Sequence, residues 1–169
     1  MGGHKPAGKN GKALILAGGV GLVAGFVLSG LLMFFIMPGM MIVQEESKLG
    51  FQETVAAIEQ AIGAQGWEHS QTVDMNASLA KHGVDFKPQV RLIKLCKAEY
   101  ASDVLSTDRY VSCLMPCTIA VWENDLGQVM ISKMNTGLMG KMFGGNVAEV
   151  MGGSVGTDEA KILRAVLAD

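Results

Sequence analysis

From Ala13 to Met37 the chain reads ALILAGGVGLVAGFVLSGLLMFFIM, with no charged residue and no Asn, Gln or His. The run is 25 residues long, and a helix needs about 20 apolar residues to cross a bilayer. It exceeds the roughly 7–15 residues of a cleaved leader's apolar region, and no small-x-small cleavage site follows it. It therefore predicts an uncleaved, single-pass transmembrane helix over 13–37. Lys5, Lys9 and Lys12 precede it and no acid occurs before Glu45, which predicts a cytoplasmic tail over 1–12. The expected location is a bacterial inner membrane, with a linker over 38–50 and an extracytoplasmic domain over 51–169. Ala17, Gly21, Gly25 and Ser29 recur every fourth position and share one helix face. Such a stripe of small residues lets helix backbones pack closely, so self-association or a membrane-protein partner is expected.

All 16 acids lie at or after Glu45, together with 11 of the 14 basic residues, so this part is near −5. That balance disfavours nucleic acid as a partner, because a phosphate backbone demands a basic face. The remaining chain is long enough for one domain with a modest core.

Phe51, Val55, Ile58 and Ile62 repeat at helical spacing, ending near Gly63–Gly66. Trp67 to Val73 and Gln89 to Cys96 read as strands. Between them Asp74 or Asn76 caps a short helix that Gly83 stops. Ala98 to Leu105 reads as a helix. Cys117 to Trp122 and Gln128 to Met134 are strands joined by Asn124-Asp125-Leu126-Gly127, whose composition is that of a hairpin turn. Helices are expected over Asn146–Met151 and Thr157–Leu167. An antiparallel hairpin among helices predicts a two-layer α+β domain. Asn135 to Gly145, rich in Gly and Met, reads as a loop over the sheet or over a ligand.

Three motif groups resemble the domain of unknown function 302 family. The first is Phe51-x-x-Thr54-Val55, followed by Gly66-Trp67 and Asp74. The second is Pro88-x-Val90, then Leu95-Cys96-Lys97-Ala98-x-Tyr100-Ala101. The third is Leu114-Met115-Pro116-Cys117-Thr118-Ile119-Ala120-Val121, then Gly127-x-Val129-x-Ile131-Ser132-x-Met134-Asn135. The resemblance covers about residues 50–155. It implies a compact α+β domain with an antiparallel sheet, often dimeric, and carries no settled activity. The sequence departs from the family pattern after Cys96, where Lys97-Ala98 replace Asn-Pro.

Cys96 and Cys117 each fall at the edge of an expected strand. Three fates stay open for them: small buried hydrophobes, a disulfide, or a redox, sulfur or soft-metal site. Met115, Cys117 and Met134 form the sulfur set suited to Cu(I). Cys113-x-x-x-Cys117 is neither a C-x-x-C redox pair nor a zinc spacing, and C-x-x-C-H for haem is absent. Cys117, His69 and Asp74 supply the residue types of a nucleophilic set, but nothing in the sequence fixes their geometry. No complete catalytic set and no cofactor motif stands out. The expectation is a binding or assembly module rather than an enzyme, with thiol chemistry at Cys96 and Cys117 as the alternative.

Overall fold

In the computed structural model residues 10–168 are described, with side chains of the first helix at 18–19, 21–37 and 39–41. That helix, α1, runs Asn10–Met41. Among the described residues no helix is long and apolar enough to cross a membrane. This overturns the transmembrane reading of 13–37. The single-pass inner-membrane location and the extracytoplasmic placement drawn from it fall with it. Most of the expected tail, 1–9, lies outside the described residues.

The remainder of the chain, from Met40, forms its own unit. Its five strands are β1 (Ile42–Glu46), β2 (Glu68–Asp74), β3 (Val90–Cys96), β4 (Cys117–Glu123) and β5 (Val129–Met134). They form one sheet in the order β1-β5-β4-β3-β2, with every neighbouring pair antiparallel. The expected α+β class is what the structure has. Residues 42–46, expected in the linker, instead supply the edge strand beside β5.

Side chains alternate across a sheet, and register decides which set is buried. Ile93 pairs with Ile119, and Val121 with Ile131. All four, with Leu95, are essentially inaccessible. They meet α2 (Phe51–Ala64) through Ile58 and Ile62, and α4 (Ala98–Thr107) through Val104. Burying one such branched side chain is worth about 1.5–3 kcal/mol, so this single face carries most of the apolar stabilisation. The opposite face is half-covered along Leu92, Ala120 and Ser132.

Local signals work where the chemistry is specific. Asp74 accepts a hydrogen bond from the Ala77 amide at 2.9 Å and starts α3 (Met75–Ala80). The hairpin turn closes through Asn124, whose Oδ1 accepts from the Leu126 and Gln128 amides. Gly127 there has φ +76°, which a side chain rarely tolerates.

After β5 comes α5 (Thr136–Phe143), capped by the Asn135 side chain on the Leu138 amide at 3.0 Å. The loop expected over 135–145 is thus mostly helix. Its glycines serve close packing: a Cβ on Gly140 would lie 3.1 Å from Ala148 Cα and from the Gly152 amide nitrogen. Those two residues lie within the chain's last helical stretch. It runs as α6 (Gly145–Val147), a π-helical segment (Ala148–Val155) and α7 (Gly156–Leu163). Ile162 and Leu163 of α7 complete the core. Beyond it the chain returns to β1, where the Lys48 amide donates to Val166 O and the Ala168 amide to Glu46 O.

Candidate functional site

The sheet comes apart at one end. The β4–β5 ladder stops at Ile119–Lys133, yet β4 stays paired with β3 through Leu95–Cys117. Met134 of β5 stays paired with Ile42 of β1. Cys117 and Thr118 therefore separate from Met134, and a cleft of about 330 Å³ opens between them. Leu114 and Pro116, which lead into β4, border it, as does Met151 of the π segment.

The cleft contains an ion pair between a buried glutamate and a partly buried lysine. Lys133 shares the inward parity of Ile131, so the strand turns its side chain toward the helices. Its Nζ donates to Glu159 Oε2 of α7 at 2.9 Å, and Thr136 Oγ1 donates to the same oxygen at 3.4 Å. The Glu159 side chain is 2% exposed and that of Lys133 14%. Burial raises the Glu159 carboxyl above its ordinary value, against the opposing pull of Lys133. Cys117 is pushed up to about 12, first by burial and then by the Glu159 charge. At neutral pH it is a thiol and not a thiolate, so it is a poor nucleophile.

Asp158, one residue earlier, points elsewhere. Its Oδ2 accepts from Trp67 Nε1, Lys97 Nζ and Tyr100 Oη at 3.1–3.2 Å, and its Oδ1 from Lys161 at 3.1 Å. Burial alone would raise this carboxyl. The four donors, Lys161 foremost, outweigh burial and hold it well below the usual carboxylate range. Lys97 moves upward, chiefly through its hydrogen bond to Asp158. Trp67 and Tyr100 also wall a second, apolar hollow of about 20 Å³, with Cys96, Met115 and Cys117 on its border.

A family model described as "Domain of unknown function DUF302" matches residues 43–167. The chain belongs to the DUF302 family. The match starts inside β1, so the edge strand is part of the DUF302 domain. A crystal structure of an uncharacterized conserved DUF302 protein from Bacillus stearothermophilus superposes with a TM-score of 0.66, at 18% sequence identity. The superposition covers 74% of this chain and 97% of that one, and at this identity it speaks for the fold alone. No curated protein matches the chain.

Within the DUF302 domain the sulfur residues named from sequence are divided. Cys117 borders both hollows, Met134 only the cleft, and Cys96 and Met115 only the small apolar one. All three cysteines are free, and Cys113 is exposed at the cleft. Among the described residues no three His, Cys, Asp or Glu side chains are grouped as metal ligands. Cys117, His69 and Asp74 do not form a set: His69 bonds Thr72 at 2.8 Å, while Asp74 is held by Arg91 at 2.8 Å and caps α3.

On α1 a Cβ at Gly21 or Gly25 would meet nothing within 4 Å, and Ser29 is exposed. The side chain of Ala17 lies outside the described residues. Sequence reasoning missed Lys133, Thr136, Asp158 and Glu159. Lys133 was findable, as the odd member of the inward set Val129, Ile131, Lys133. The acids carried no signal beyond favouring a helix start.

Proposed function

We propose that the DUF302 domain of this chain is a binding module whose small ligand sits in the cleft between β4 and β5. The observation that carries this reading is the parting of two adjacent strands around a largely buried Lys133–Glu159 pair. A buried pair costs desolvation that apolar residues would not incur, so it is weak evidence for stability. A concave site with apolar walls and a few convergent polar groups is the usual form of a ligand pocket. The protonated state of Cys117 favours this reading over thiol chemistry at Cys96 and Cys117. A fragment panel tested by thermal shift should yield saturable stabilisers. Thr118→Trp, placed at an exposed cleft position, should block them while preserving the fold. Stabilisers that bind the variant unchanged would show that the site lies elsewhere.

The assembly half of the reading rests on α1. Phe26, Phe34 and Phe35 are 74%, 73% and 75% exposed, an apolar surface larger than a monomer normally leaves in water. Self-association of α1 through the Gly21, Gly25 and Ser29 face would cover the exposed residues that flank it, Leu22, Leu28 and Leu32. Replacing Gly21 and Gly25 by Leu should lower the mass seen by light scattering, and an unchanged mass would count against it.

A further inference from the structure

The polar floor of the cleft specifies more than a general pocket, granted the reading that the cleft holds a ligand. Lys133 Nζ has three N–H donors. One goes to Glu159 Oε2, and among the described residues the other two have no protein acceptor. Glu159 Oε2 takes both Lys133 and Thr136, while Oε1 takes nothing. Among the described residues no fully buried side-chain nitrogen or oxygen lacks a partner. Glu159 Oε1 therefore touches accessible space, and the space that Glu159 borders is the cleft. A donor and an acceptor thus stand side by side at the floor, with no net charge between them.

That pairing discriminates by charge. An anion drawn to Lys133 meets Glu159 at similar range, and an ammonium drawn to Glu159 meets Lys133. Either ion gives up its hydration for little net attraction. A neutral group with a carbonyl beside an N–H satisfies both sides. The walls at Ile42, Leu114, Pro116 and Met151 suit an apolar body. We propose that the cleft takes a neutral, compact apolar molecule ending in an amide-type edge, its carbonyl on Lys133 Nζ and its N–H on Glu159 Oε1.

The test uses the full chain with ¹³C-methyl methionine, hexanamide as probe, and hexanoate and hexylammonium as matched ions. Met134 and Met151 line the cleft and report binding; Met130 lies outside its lining and is the control. Hexanamide should shift Met134 and Met151 saturably, with at least tenfold higher affinity than either ion. The double variant Lys133→Met, Glu159→Leu replaces the pair by apolar groups, so it should fold normally and lose that preference. Equal affinity for the three probes, or a double variant that still prefers hexanamide tenfold, overturns the amide assignment and leaves the cleft as a site. No shift at either methionine with any probe overturns the cleft reading itself.

Discussion

Replacing Lys133 by Met should make the stability of this domain strongly pH-dependent. The substitution keeps most of the side-chain volume and removes the cation that faces Glu159 at 2.9 Å. Glu159 is then a carboxylate, 2% exposed, with Thr136 as its one remaining hydrogen-bond donor. Breaking a buried pair by removing one partner costs about 3–5 kcal/mol. For a domain of this size 1 kcal/mol moves Tm by roughly 4 °C, so a fall of about 12–20 °C at pH 7 is expected. The sign with pH follows from Glu159. Its folded-state carboxyl already holds its proton above the ordinary 4.5, and losing Lys133 raises it further. Folding then takes up a proton, so the variant loses stability as pH rises through and beyond 4.5. Near pH 4 most of the deficit should vanish, because Glu159 is neutral in the folded state and largely neutral in the unfolded one. Thermal melts by circular dichroism from pH 4 to 8, compared with wild type, read this directly. A deficit equal at pH 4 and pH 8, or below about 1 kcal/mol at pH 7, would refute a desolvated Glu159 as its cause.

Three more expectations can be checked separately. Gly140→Ala forces a Cβ against the backbone of Ala148 and Gly152; the overpacking should exceed the helix-propensity gain and cost about 1–2 kcal/mol in urea denaturation. Asp158→Asn should flatten the acid limb of the stability curve: a depressed carboxylate stabilises above its ordinary 3.8 and loses that contribution as pH falls below it. With a maleimide at pH 7, Cys113 should react promptly and Cys117 at least a hundredfold more slowly, since a thiol near 12 is ionised to only about one part in 10⁵; comparable labelling of the two by peptide mass mapping would contradict this.

The legible parts of the fold were those with local chemistry. Branched residues in alternation marked β3, Asn124 and Gly127 marked the hairpin, and Asp74 marked the α3 cap. The parts that stayed hidden depend on tertiary partners. Strand β1 has no alternation strong enough to stand out, because one edge strand needs only β5 beside it. Gly140 reads as a loop residue, whereas its small size is what lets α5 approach the π segment. The family resemblance fixed the domain and left its site blank. Cys117 and Met134 were picked for their sulfur and do line the cleft. The charged pair beside them was invisible, because nothing in a single sequence reports that Lys133 and Glu159, 26 positions apart, meet.

The strand order also sets a sequence of events. β2 to β5 form a meander in which each strand pairs with its successor, whereas β1 pairs with β5 across some 90 intervening positions. Such a distant pairing carries a loop-closure entropy that the meander's local pairings do not, so β1 is expected to pair last. Ile42, on that late strand, is a wall of the cleft. The cavity is thus finished only when the first strand zips onto the sheet. Amide exchange in β1 should then report, residue by residue, how often the pocket stands open.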